Sequence, residues 1–283
     1  MKRGRESITA QGIAFIRAWE TSRPPDERIC NDPLARQLID PVYYWIGRLF
    51  APAAERKEPG VTGLIVARCR YIDDYLLAGV AEGIRQVVIL GAGLDSRAYR
   101  LPQLQGVRVF EVDQEATQDA KRRKLQRVLG ELPTHVTFVP IDFDAETLDQ
   151  LLSSGYDPLV RTLFIWEGVV HYLTAEAVDQ TLAWVLKNSA AGSAIIFDYL
   201  YTEALTGEHV RAEVRRMRRS GRWSGEVLMF GIPEGQAVEF MQSRGYTDVV
   251  SVTADDLKRL YFTGVNAGRV VAPVYAIVHG RTP

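Results

Sequence analysis

Two hydrophobic rhythms divide the chain near residue 80. Before it, apolar residues recur at helical spacing: Ile8, Ile13, Ile16 and Trp19 fall roughly on one face, as do Ile65, Cys69, Ile72 and Leu76. Breaks are expected at Arg23-Pro24-Pro25, at Asp32-Pro33 and around Pro52 to Gly60. From residue 85 short apolar runs take over: Val87–Leu90, Val107–Val112, Val136–Ile141, Thr162–Trp166, Ala194–Tyr199, Val249–Val252 and Val274–Val278. Segments of helical length separate the first five, which predicts parallel strands joined by right-handed crossovers. The last two runs have room only for a short helix over Ala254–Leu260, so an antiparallel pair is expected at one sheet edge. The pattern therefore predicts an α/β fold with a seven-stranded, mostly parallel sheet whose last strand is reversed. Residues 1–80 are expected as a helical cap over the active site and 81–283 as the main domain. Tyr201–Gly235 interrupts the alternation and is expected as an inserted helical lid.

Composition narrows the class. Apolar content of 47% and charged content of 24% are ordinary for a globular chain. A net charge of −1 provides no field to draw in nucleic acid or an anionic membrane. The run Arg215-Arg216-Met217-Arg218-Arg219-Ser220-Gly221-Arg222 is short and reads as a solvated helix face. Cys30 and Cys69 are too few for a disulfide scaffold and lack metal-ligand spacing, so a reducing compartment and no metal are expected. With no apolar leader segment and no apolar run near 18 residues, a soluble cytoplasmic protein is expected.

The candidate chemistry sits at the first strand. Val87-Val88-Ile89-Leu90 runs into Gly91-Ala92-Gly93, and Asp113 ends the next apolar run twenty residues after Gly93. Strand, tight turn, helix and strand form the first half of a nucleotide-binding unit. Glycines let the backbone turn sharply and approach a ligand closely, and Asp113 can accept both hydroxyl hydrogens of a ribose. Two details favour S-adenosylmethionine over NAD. Ser96 stands where a dinucleotide fingerprint has its third glycine, and Asp95 stands at the start of the following helix. There its charge opposes a pyrophosphate and suits a cation, while its side chain can also cap the helix.

The chain resembles the leucine carboxyl methyltransferase family, especially its bacterial branch of small-molecule O-methyltransferases. The motifs that carry the resemblance are Ala67-Arg68-Cys69-Arg70-Tyr71 with Asp73-Asp74, Gly91 through Arg100, and Phe110-Glu111-Val112-Asp113-Gln114. Val139-Pro140-Ile141-Asp142-Phe143, Trp166-Glu167-Gly168-Val169-Val170-His171-Tyr172-Leu173 and Phe230-Gly231-Ile232-Pro233 complete the set. The resemblance implies a Rossmann-like class I methyltransferase fold with S-adenosyl-L-methionine as cofactor. It implies an arginine in the 68–70 motif that grips the cofactor carboxylate. Arg68 and Arg70 lie about 200° apart on a helix, so only one can point inward; Arg70 is favoured, with Arg68 as the alternate. Gly91, Gly93, Asp95, Asp113 and Gln114 are expected around the ribose and methionine, Asp142 (or Asp144) with Phe143 at the adenine, and Glu167 near the ammonium or methyl end.

His171 and Tyr172 fall where the family's acceptor pocket lies. Tyr172 matches the family motif, whereas His171 replaces a residue that is usually apolar or proline, so its role as base is read from its chemistry alone. His135, His209 and His279 lie at other points in the pattern. A carboxylate acceptor is expected over a hydroxyl, because no Asp-His pair is visible. The expected partner is a small-molecule acceptor. Alternatives left open are a protein C-terminal carboxyl methyltransferase and a non-catalytic S-adenosylmethionine-binding regulator.

Overall fold

The computed structural model describes residues 8–143, 146–206 and 228–283. Asp144, His209, the arginine run 215–222 and most of the expected lid lie outside the described residues. Strands β1 (Gln86–Leu90), β2 (Arg108–Asp113), β3 (Val136–Pro140), β4 (Thr162–Trp166), β5 (Ala194–Leu200), β6 (Thr247–Val252) and β7 (Tyr275–Arg281) form one sheet in the order β3-β2-β1-β4-β5-β7-β6. The first five pair in parallel, and β7 runs antiparallel to both β5 and β6. The reversed strand thus lies inside the sheet and β6 forms the edge. Every residue of β1, β4 and β5 is buried, which is why these strands read as near-continuous apolar runs instead of alternating ones: both sheet faces are covered.

Helices α1 (Ile8–Thr21), α2 (Ala35–Leu38), α3 (Pro41–Lys57) and α4 (Val61–Ala81) precede the sheet. On one sheet face, Val66, Cys69, Ile72 and Leu76 of α4 join Val87, Ile89, Leu163 and Ile165. On the other, Val178, Leu182 and Val185 of the helix Ala175–Lys187 join Val88, Phe110, Phe164 and Phe197. Successive strand residues face opposite cores, as the pleat requires. The predicted inner face of α4 is the observed one, with Ile65, Cys69, Ile72 and Leu76 all buried.

One expectation is corrected among the N-terminal helices. Helix α1 buries Ala14, Phe15, Arg17 and Ala18, while Ile16 and Trp19 are only partly buried. The helix is turned by an ion pair, Arg17 to Asp32 at 2.9 Å. The break expected around Pro52 to Gly60 falls at the end of that stretch: Pro52 lies inside α3, and the helix stops before Glu58 and Gly60. The carbonyl that Pro52 leaves without its helical N–H belongs to Arg48, an exposed residue. Among the described residues no helix is long and apolar enough to cross a membrane.

Candidate active site

The carboxyl ends of β3, β2, β1 and β4 lie side by side, and each delivers one element of the expected site. After β1 the chain turns through Gly91 (φ 67°) and Gly93 (φ 41°). A Cβ at Gly91 would sit 2.4 Å from Val169 Cγ2, so the turn closes only without one. At Gly93 the nearest atom to a Cβ would be Ala10 Cβ of α1, at 3.5 Å. Helix α1 thus reaches the glycine turn. Gly91→Ala is expected to cost about 1–3 kcal/mol more stability than Gly93→Ala, because it adds a clash to the backbone strain both share. Urea unfolding of the two variants checks this; equal losses would remove Val169 from the explanation.

Asp113 ends β2 and accepts the Gly93 N–H on one oxygen (2.6 Å) and the Gln114 N–H on the other (2.7 Å). Burial nonetheless pushes its carboxyl above the usual range, against the lowering by these two amides. Gln114 stands at the N-cap position of the helix Glu115–Leu129 without a side-chain capping bond. Asp142 and Phe143 follow β3, one strand over, where the Ile141 N–H donates to the Asp113 carbonyl at 3.0 Å. The Asp142 N–H donates to Glu146 at 2.7 Å, and Phe143 packs partly buried on the core.

Glu167 follows β4 directly. Its oxygens accept from Arg68 Nε (2.9 Å) and Arg97 Nη1 (2.7 Å). Burial alone would push this carboxyl up, but Arg97 and Arg68 outweigh it and hold it at about 2. Asp95 is balanced the same way: burial raises it, Arg97 lowers it further, and it rests at about 2. Asp95 also accepts the Arg97 N–H at 2.7 Å, just before the short helix Arg97–Arg100, whose N-cap position is held by Ser96.

These contacts belong to one buried network. Arg68 donates to Asp198 of β5 (2.6 Å), and Asp198 in turn accepts the Gly168 N–H (2.6 Å). Arg97 reaches Asp73 of α4 (2.7 Å), which also pairs with Arg100 (2.7 Å). Ser96 bridges Arg100 (3.0 Å) and Asp32 (2.7 Å), and Asp32 pairs with Arg17. Four guanidinium groups and five carboxylates are joined, leaving one net negative charge.

The structure does not bring Arg70 to this site. Arg70 faces outward on α4, half exposed and paired with Asp74 at 2.8 Å, while Arg68 points to the strand ends. Glu167 and Asp198 present two carboxylates to one helix face, and the buried face of α4 carries Arg68 toward them. The sequence reading assigned no role to Arg97, Arg100, Asp73, Asp32, Arg17 or Asp198. One signal was available: Asp198 interrupts an otherwise apolar strand, and a carboxylate there needs a buried cation.

His171 and Tyr172 lie on the turn Val170–Tyr172, just beyond Glu167. The His171 ring is buried, 4.2 Å from the Tyr172 ring and edge-on to Tyr275 at 5.4 Å, centroid to centroid. Its carbonyl accepts the Met229 N–H at 2.8 Å. Burial, then the neighbouring Tyr172, pushes the Tyr275 phenol well above its ordinary value. His279 lies apart, bonded to Tyr71 at 3.0 Å, and His135 meets the Ala98 carbonyl at 3.1 Å. Among the described residues no group of three or more His, Cys, Asp or Glu could hold a metal ion.

Comparison with known proteins gives the family. The profile of the family described as leucine carboxyl methyltransferase matches residues 10–186. A protein of Streptomyces avermitilis, provisionally named S-adenosyl-L-methionine-dependent methyltransferase, is 38% identical over 188 residues, 65% of this chain and 66% of that one. A similarly named protein of Mycobacterium tuberculosis is 31% identical over 275 residues, 89% of this chain and 87% of its own length. The match thus spans just under two thirds of the Streptomyces relative but nearly all of the mycobacterial one. A crystal structure of a Thermobifida fusca protein, provisionally named a methyltransferase, superposes with a TM-score of 0.61, covering 99% of this chain and 96% of that one. At 16% identity that likeness is one of fold. The chain belongs to the leucine carboxyl methyltransferase family.

Proposed function

We propose that this member of the leucine carboxyl methyltransferase family is an S-adenosylmethionine-dependent O-methyltransferase acting on a small metabolite, with a carboxylate as the favoured acceptor. The observation that carries the reading is the row of groups at the strand ends: Asp142 and Phe143, Asp113, the Gly91–Gly93 turn and Glu167, on four adjacent strands. That row suits adenine, ribose and the methionine end in turn. The fit also rests on charge. S-adenosylmethionine carries one net positive charge, and the network beneath the row carries one net negative charge, with Glu167 and Asp95 held ionised. Arg68 takes the place of Arg70 as the guanidinium proposed to orient the cofactor carboxylate.

The bound cofactor supplies a methyl group already activated on a sulfonium. The chain's own work is then positioning and exclusion of water. Glu167 would hold the methionine end of the cofactor and Asp113 its ribose, and the aromatic groups of His171, Tyr172 and Tyr275 line the acceptor side. A carboxylate with a pKa of about 4 is ionised at neutral pH and needs no base. His171→Gln should therefore lower kcat less than about tenfold, with a flat profile from pH 6 to 8. A loss of about a hundredfold with disappearance of a pH limb would instead make His171 a base and the acceptor a hydroxyl. Carboxylic acids and phenols screened side by side for methyl transfer give the substrates for this test.

A further inference from the structure

Helix α3 presents most of its bulky apolar side chains to solvent. Tyr44 and Ala51 are buried, and a Cβ at Gly47 would lie 2.8 Å from the Phe15 ring of α1, so the two helices cross there. On the opposite side Val42 (66% exposed), Trp45 (60%), Ile46 (53%), Leu49 (75%) and Phe50 (60%) share one face, at the spacing of an amphipathic helix turned outward. With Tyr43 they offer on the order of 700 Å² of accessible apolar surface, taking an aromatic side chain at about 150–250 Å². Soluble monomers rarely leave patches of more than about 300–600 Å² open.

We infer that this face is a dimer interface, in which α3 packs against the same helix of a second copy, antiparallel across a two-fold axis. Area is the first argument: a standard interface takes about 800 Å² from each partner, close to what α3 offers. Self-complementarity is the second. An axis between Ile46 and Leu49 sets Ile46 against the partner's Leu49 and Val42 against the partner's Ala53, with Trp45 and Phe50 at the flanks. Large meets large at the centre, and small meets medium at the ends. Charge is the third argument. The helix begins at Asp40, whose carboxylate accepts the Val42 and Tyr43 N–H groups, and ends at Arg56 and Lys57. Antiparallel packing brings each basic end beside the partner's Asp40 and keeps the two basic ends a helix length apart, about 25 Å. Parallel packing would set them side by side.

The test is sedimentation velocity on the full chain at tens of micromolar, for the wild type and for Leu49→Glu and Phe50→Lys. Both positions are exposed in the monomer, so the variants should fold, as thermal melting will verify. The wild type should be a dimer, and each variant should raise the dimer Kd at least about tenfold. Mixing Ile46→Cys with Leu49→Cys under mild oxidation should cross-link the two variants to each other in preference to themselves. A monomeric wild type, or a dimer indifferent to both charge substitutions, would overturn the inference. So would a monomeric wild type that co-sediments with anionic vesicles, which would assign the face to a membrane surface.

Discussion

Replacing Arg97 with alanine should lower the free energy of unfolding by about 3–5 kcal/mol, the cost of breaking a buried ion pair by removing one partner. Arg97 is 1% exposed and holds three carboxylates, on Asp73, Asp95 and Glu167. Without it each loses a cation in a place water does not reach. Arg97→Lys should restore only part of the loss, since one ammonium cannot fork toward three acceptors. The effect should also depend on pH. Glu167 and Asp95 are held at about 2, below their ordinary values. A carboxyl depressed by folding contributes stability that is fully present above its unfolded pKa and lost as pH falls through the folded one. The wild type should therefore lose stability between about pH 5 and pH 2, and Arg97→Ala should flatten that slope. Urea unfolding across this range measures both. A full-strength slope in the alanine variant would show that Arg97 does not set these carboxyls.

Asp113→Ala should weaken binding of S-adenosylhomocysteine by about 1.5–3 kcal/mol, a factor of about 10–150. Two losses combine in the proposed site. Ribose hydroxyls lose their acceptor, and the amides of Gly93 and Gln114 lose theirs, loosening the turn that the cofactor lies against. Asp113→Asn is not a mild alternative, because its amide nitrogen would face one of those N–H donors. Calorimetric titration of the folded variant gives the affinity, and a parallel melt separates binding from stability. An unchanged affinity would remove Asp113 from the ribose.

The sheet was legible because both of its faces are covered. Runs such as Val87–Leu90 and Thr162–Trp166 are then apolar at every position, and helical segments between them impose the parallel order. The glycine turn and Asp113 were legible because their spacing follows from one strand, one turn and one helix. Arg68 was misjudged for a reason that lies outside helix periodicity. Both arginines of the motif suit the chemistry, and what chooses between them is Glu167 and Asp198, roughly 100 and 130 residues away in sequence. The face of α1 was misjudged for a related reason. Its rotation serves the Arg17–Asp32 pair instead of its most apolar stripe, so Ile16 and Trp19 yield the interior to Ala14 and Ala18. Long-range ion pairs leave little periodic trace. Only a charge in the wrong place, as at Asp198, betrays them.

The most direct measurement is a pair of calorimetric titrations of the wild-type protein, one with S-adenosylhomocysteine and one with NAD. The site as built predicts one-to-one micromolar binding of the first, with a rise in melting temperature, and no heat from the second. NAD binding, or a folded protein that ignores S-adenosylhomocysteine, would contradict it.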